Sequence, residues 1–298
     1  MHRHPEHPSP PRSRRRSAVI VAAALFVAAG AHAETIFGLT TTNALVVFDS
    51  TTPLNASTPV TITGLQAGER ILGMDLRPAN ATLVGVGSSG RLYTLNATTG
   101  ASTLLSVLSG ASLAGTSFGV DFNPMVDRLR ITSNTGQNLR INVDTGVVTV
   151  DSPLNGAASG ASASAYTNNV AGASTTSLYS ISATTDSLYL QSPPNSGTLT
   201  LIGALGVDTT GVAGFDISGL SAAAYASLND GDTGKSSFYK INLATGAATS
   251  VGAFGIGGNA VIAPALLDVT AVPEPSTYGM LAMGLGVVAF LTRRRRAA

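Results

Sequence analysis

The sequence predicts an all-β fold, a β-propeller of five four-stranded blades in which a C-terminal strand closes the first blade. Three observations predict it. Residues 34–271 are dominated by Gly, Ser, Thr, Ala and Asn and sustain no helical period, only short alternating segments between turn residues. A Gly-x-Asp opening recurs as Gly73-Met74-Asp75, Gly119-Val120-Asp121 and Gly214-Phe215-Asp216, and a closing Asn-x-x-Thr-Gly recurs as Asn96 to Gly100, Asn142 to Gly146 and Asn242 to Gly246. The spacing is 46 residues from Gly73 to Gly119 and again from Gly100 to Gly146. A period of about 40–50 residues carrying four strands is that of a propeller blade. A β-sandwich or β-solenoid is the alternative that short alternating strands leave open.

The units follow in order. The first is partial, with strands at Thr35 to Thr40, Ala44 to Asp49 and Pro59 to Leu65 but no Gly-x-Asp opening. An apolar strand from Ala260 to Val269 is left over at the other end. Joining it to the first unit removes an exposed sheet edge. The second unit turns at Ser88-Ser89-Gly90 and the third at Asn134-Thr135-Gly136. The fourth is weak, recognisable from Ser187-Leu188-Tyr189-Leu190 and a turn at Asn195-Ser196-Gly197. The small-residue run at 155–165 before it reads as a loop between blades. In the fifth, Asn229-Asp230-Gly231-Asp232-Thr233-Gly234 looks like the start of an EF-hand loop. Without a Glu at the twelfth position or flanking helices it reads as a hairpin turn. Tyr93, Tyr189 and Tyr239 fall on third strands, as packing residues.

Both ends read as addresses. Residues 1–33 carry Arg14-Arg15-Arg16, an apolar stretch from Ala18 to Ala29, and Ala31-His32-Ala33. That order makes a signal peptide, cleaved by signal peptidase after Ala33. Residues 272–298 carry Pro273-Glu274-Pro275, an apolar segment from Tyr278 to Thr292, and Arg293, Arg294, Arg295 and Arg296. Fifteen residues rise about 22 Å as a transmembrane helix, short for a permanent span, and the arginines hold their end in the cytoplasm. This tail resembles the PEP-CTERM sorting signal of Gram-negative bacteria. The resemblance implies processing by a membrane-embedded exosortase, an inner-membrane intermediate, and then the cell surface or the extracellular space, in association with exopolysaccharide and biofilm.

Composition restricts the chemistry between these ends. The chain has no Cys and no Trp, and its four His (His2, His4, His7, His32) all lie in the leader. The 34–271 domain is therefore without an imidazole or thiol for a catalytic triad, a cysteine nucleophile or a zinc site. Residues 34–272 hold 8 Lys+Arg against 14 Asp+Glu, a net −6 that speaks against nucleic acid as a partner.

The richest polar stretch runs from Asp121-Phe122-Asn123-Pro124 through Asp127-Arg128-Leu129-Arg130 to Gln137-Asn138-Leu139-Arg140. It resembles the signature of an uncharacterised bacterial domain of unknown function found on exported proteins, a resemblance that brings no activity with it. Arg128 and Arg130 share one face of a strand, with Asp121, Asp127 or a neighbouring blade's acid as expected partners. With Asp121, Asn123, Gln137 and Asn138 they form either an inter-blade network or a pocket for an anionic or sugar ligand. Asp75, Asp121 and Asp216 occupy equivalent first-strand positions. They either cap local backbone N–H groups or ring the channel and hold Ca²⁺, the one metal the residue inventory suits. The functional expectation is an exported, non-enzymatic binding or structural module, exopolysaccharide being its candidate partner. A calcium-dependent propeller hydrolase or lyase is the alternative.

Overall fold

The computed structural model describes residues 33–260 and 266–272. The sorting motif, the arginine cluster and all of the leader except Ala33 lie outside these residues. Blade 1 joins Leu266–Val272 to Thr35–Thr40, Ala44–Asp49 and Val60–Thr61. Blade 2 comprises Ile71–Arg77, Thr82–Gly87, Arg91–Leu95 and Ser102–Val107; blade 3 comprises Phe118–Asn123, Arg128–Ser133, Asn138–Ile141 and Val148–Val150. Blade 4 comprises Ala163–Tyr166, Leu178–Ser182, Ser187–Gln191 and Thr198–Ala204, with Asn155–Gly156 added in parallel at its outer edge. Blade 5 comprises Ala213–Ile217, Ala224–Asn229, Ser236–Ile241 and Ala248–Ala253. The five inner strands pack one on the next around an axis.

Closure occurs as the sequence predicts, but with the strand shifted toward the C-terminus. The closing strand is Leu266–Val272, paired with Thr35–Thr40 from Val272↔Thr35 onward, whereas Asn259–Ala260 makes a small hairpin with Gly255–Ile256. Val269 and Ala271 of this strand enter the core beside Ile36, Phe48 and Phe238. The 155–165 run is likewise not one loop. Its last residues, from Ala163, begin the inner strand of blade 4. Small side chains there answer to crowding at the axis: a Cβ on Gly119 of blade 3 would lie 2.5 Å from both N and Oγ of Ser164.

Four of the five blade interfaces are apolar. Leu39, Leu45, Ile71 and Met74 fill the one between blades 1 and 2; Val84, Val86, Val120 and Phe122 fill that between 2 and 3. Ala165, Leu188, Phe215 and Ile217 fill the contact of blades 4 and 5, and Tyr225, Phe238, Val46 and Val269 that of 5 and 1. Between blades 3 and 4 the apolar part shrinks to Leu154, Ala161, Tyr189 and Leu199. The rest is polar and includes a chain of buried hydroxyls and amides: Thr132 to Ser164, Ser164 to Ser180, and Ser180 to Gln191.

The repeated Asn-x-x-Thr-Gly turn also has a packing explanation. The side chain of Asn142 accepts the Asp144 N–H, and its carbonyl accepts the Gly146 N–H. Gly146 then adopts φ +74° and its carbonyl accepts the Ser109 N–H of blade 2's outer edge. A Cβ at Gly146 would meet the Val107 carbonyl oxygen at 2.0 Å, so the turn closes against the previous blade only with glycine. Gly146→Ala should therefore lower the unfolding free energy by about 2–4 kcal/mol, left-handed strain and overpacking together. Gly172→Ala, at φ +73° with nothing within 4 Å, carries the strain alone and should cost about 1–2 kcal/mol. Urea midpoints of the two variants check the difference; equal losses would remove the inter-blade contact as the reason for the motif.

Candidate functional site

Two features stand out as candidate sites: a buried cluster of acids on the axis and an arginine cleft on the flank of blade 3. At the axis, the inner edge of every blade presents backbone N–H groups without a ladder partner. Asp75 Oδ2 accepts the Phe122 N–H of blade 3 at 2.7 Å, and Asp121 Oδ1 accepts the Tyr166 N–H of blade 4 at 3.1 Å. Asp216 Oδ2 accepts the Ala271 N–H of blade 1 at 2.5 Å, and Asp268 Oδ2 accepts the Met74 N–H of blade 2 at 2.8 Å. Asp75, Asp216 and Asp268 also accept the N–H of the residue that follows each. The Thr270 hydroxyl lies within hydrogen-bond distance of both Asp75 and Asp216. These carboxylates tie blade 2 to 3, 3 to 4, 5 to 1 and 1 to 2, rather than only capping their own turns.

One carboxylate oxygen from each of Asp75, Asp121 and Asp216 lies within 4.8 Å of the others, and all three residues are buried. No Lys or Arg among the described residues pairs with them or with Asp268. Burial pushes the carboxyls of Asp75, Asp121 and Asp268 well above the ordinary range, and the neighbouring Asp216 adds to the rise at each. Burial raises Asp216 to about 6 against the opposing pull of its bonds from Ala271, Ile217 and Thr270. Oxygen donors without imidazole or thiolate suit a hard cation, and a proton meets the same electrostatic need.

The six residues expected to bind a ligand do not converge on one pocket. Asp121 faces the axis. Asn123 accepts the Met125 N–H at the tip of the first hairpin of blade 3. Gln137 holds the segment before blade 3, donating to the Ser112 carbonyl and accepting the Ala114 N–H. Arg130, 1 % exposed, and Asn138 lie in the polar interface of blades 3 and 4. The Arg130 guanidinium donates to Asn138, Asp151, Asn195 and the Tyr166 hydroxyl. Its carboxylate partner is thus Asp151 of its own blade, not Asp121 or Asp127. Burial would raise Asp151, but bonds from Arg140 and Arg130 outweigh it and hold the carboxyl low. Asp127 goes instead to Arg77 of blade 2, together with Asp144.

Arg128 is what remains. It donates to the carbonyls of Val126 and Asp127 and makes no ion pair among the described residues. With Arg140, Asn142, Thr145, Val147 and Thr149 it lines an open cleft of about 280 Å³ on the flank of blade 3.

Sequence reasoning missed Asp268 and Thr270 on the axis. Asp268-Val269-Thr270 lies where the other blades read Gly-x-Asp, with the acid displaced by two residues, so a search for that motif passes over it. It also missed the clamp of Arg77 on Asp127 and Asp144, residues 50 and 67 positions apart, which no local pattern signals.

Comparison with known proteins agrees with both parts of the chain. The PEP-CTERM protein-sorting motif matches residues 271–296. No curated protein matches the sequence. Among solved structures, a protein of unknown function from Bacteroides thetaiotaomicron has 15 % identity and a TM-score of 0.46, covering 73 % of this chain and 57 % of that one. A chain of a nidogen/laminin complex has 13 % identity and a TM-score of 0.47 over 81 % of this chain and 85 % of that one. TolB from Acinetobacter baumannii has 14 % identity and a TM-score of 0.44 over 74 % and 53 %. The chain thus spans little more than half the length of two of these three. A family model matches residues 44–263, which takes in strands of all five blades, and the chain accordingly belongs to the family described as domain of unknown function DUF4394.

Proposed function

We propose that this exosortase-sorted, exported protein displays its propeller as a non-enzymatic binding module for anionic polysaccharide of the extracellular matrix. The observation that carries this reading is the flank cleft. Arg128 projects there, beside the Asp151-paired Arg140 and among Asn142, Thr145 and Thr149, a combination that fits the carboxylates and hydroxyls of a uronic-acid chain. The cleft is open, so a polymer can lie along it. The axial acids are 1–2 % exposed at Asp75, Asp121 and Asp216, beyond the reach of a polymer. This favours binding over the hydrolase or lyase alternative.

Binding of residues 34–272 to polygalacturonate tests the reading. The wild-type protein should give a saturable isotherm. Arg128→Gln should weaken binding about tenfold or more, the size of a lost charge-assisted hydrogen bond. Arg91→Gln, on a different blade, should leave binding unchanged. Absent binding, or equal losses in the two variants, would sink the cleft as the site.

Calcium at the axis is a second reading, favoured by three buried carboxylates within 4.8 Å of one another and no paired cation among the described residues. It describes a structural ion rather than a catalytic one. The same groups dictate a pH dependence. A carboxyl whose folded pKa is raised binds its proton more tightly folded than unfolded, so its contribution to stability falls as pH rises from about 4 through the folded value. For Asp216 the fall runs to about 6, and for Asp75, Asp121 and Asp268 it continues higher. Asp144, Asp151 and Glu69 have lowered values and withdraw their stabilisation only below about 4. Thermal melts in chelator should therefore decline from pH 5 to pH 8, less steeply in Asp216→Asn. Added calcium should restore the midpoint at pH 8 if the cluster holds the ion. An unchanged midpoint would leave these carboxyls to protons alone.

A further inference from the structure

We propose that one end of the propeller is built to lie on the membrane while the chain is still anchored. It is the end carrying the hairpins that join each inner strand to the next. The proposal rests on the sorting motif and the membrane-anchored intermediate that it implies.

The topology fixes which end this is. In blades 2 to 5 the inner strand turns back through hairpins at residues 78–81, 124–127, 167–177 and 218–223. In blade 1 no such hairpin exists: Val272, the last residue of the inner strand, pairs with Thr35, the first residue of the second strand. The two chain ends of the domain stand where a hairpin would be. Contacts around the rim place all five together. Pro78, Pro124, Met125 and Ala171 line one shallow depression of about 290 Å³. A Cβ on Gly219 would touch Asn169 and Val170. The Ser221 hydroxyl donates to Glu34, just ahead of blade 1's second strand.

Chain length then sets the distance. Residues 273–277 separate Val272 from the apolar segment that starts at Tyr278. Five residues reach at most about 17 Å, and the headgroup layer takes up about 5–7 Å of that. The hairpin end is held within about 10 Å of the headgroups, with little freedom to turn away.

What this end presents suits a lipid surface. Met125 is 47 % exposed, Val126 54 % and Val170 37 %, on the tips of the blade 3 and blade 4 hairpins. Large apolar side chains at loop tips beside a membrane anchor partition into the interface. The four hairpins contain a single acid, Asp127, which is ion-paired with Arg77, a partner it shares with Asp144. The hairpins thus bring one acid toward an anionic leaflet, and that acid is ion-paired. By contrast the hairpin joining the second and third strands of blade 4, at the opposite end, ends in Ala183-Thr184-Thr185-Asp186.

The absence of cysteine makes the test direct. The full chain carrying Val126→Cys or Thr184→Cys, each labelled with an environment-sensitive fluorophore, is reconstituted into phosphatidylethanolamine–phosphatidylglycerol vesicles containing a lipid with a headgroup nitroxide. Both sites are exposed, so neither substitution threatens folding. The label at 126 should lose most of its emission and shift to the blue, and the label at 184 should do neither. Co-flotation with vesicles and no quenching at 126, or equal quenching at both sites, would overturn the orientation while leaving the anchor in place. Failure to float at all would overturn the anchored intermediate and this proposal with it.

Discussion

The inner edge of each blade is the constraint on which the rest of this structure depends. A propeller gathers five sheet edges at one axis, and each edge carries N–H groups that no ladder can satisfy. Leaving such a group buried and unpaired costs about 1–3 kcal/mol. Here the neighbouring blade's carboxylate accepts the hydrogen bond: Asp75 for Phe122, Asp121 for Tyr166, Asp216 for Ala271 and Asp268 for Met74. The solution joins blades as well as satisfying edges, but it assembles four acids in a medium that disfavours their charge. Raised carboxyl pKa values are the direct consequence, and a bound proton or hard cation is the relief open to them.

That constraint explains which parts of the fold were legible. Gly-x-Asp repeats because Asp supplies the clamp, and the glycine two residues earlier lets the next inner strand approach. Asn-x-x-Thr-Gly repeats because its glycine must close against the previous blade's outer edge. Both motifs carry inter-blade geometry in local sequence, so period, strand count and closure could all be read. Blade 4 was legible only in part, because its inner strand carries Ala163, Ser164 and Ala165 in place of Gly-x-Asp, and these look like a linker. The closing strand was displaced in the reading for a similar reason. Its Asp268 works from the position that glycine holds elsewhere.

The candidate sites were less legible. The sequence showed that blade 3 is unusually polar, and the expected network is found around Arg130, while Arg128 alone of the six expected ligand residues lines the flank cleft. It could not show how they divide. Arg128 and Arg130 lie two residues apart on one strand. Yet Arg130 is locked among Asn138, Asp151, Asn195 and Tyr166, three of them more than 15 residues away, and Arg128 reaches the open flank. Alternation gives the face of a strand, not the distance along it at which the neighbouring blade ends. The orientation of the chain ends was equally hidden, since it depends on the closing strand's direction.

The polar interface of blades 3 and 4 sets the order of the ring. Repeats with similar apolar faces are open to pairing out of order, because Val, Leu and Ile surfaces accept many neighbours. A face carrying Arg130 does not. Placed against any other blade, the guanidinium would lose Tyr166 and Asn195 and remain buried with fewer partners. Breaking a buried ion pair costs about 3–5 kcal/mol, and stripping a buried charge of its hydrogen bonds acts in the same direction. One interface that tolerates a single neighbour is enough to index a ring of five. Once blades 3 and 4 are fixed, chain connectivity orders the rest, and the closing strand has one position left to fill beside Thr35–Thr40. The least hydrophobic contact in the ring thus contributes order, while its four apolar counterparts contribute most of the burial.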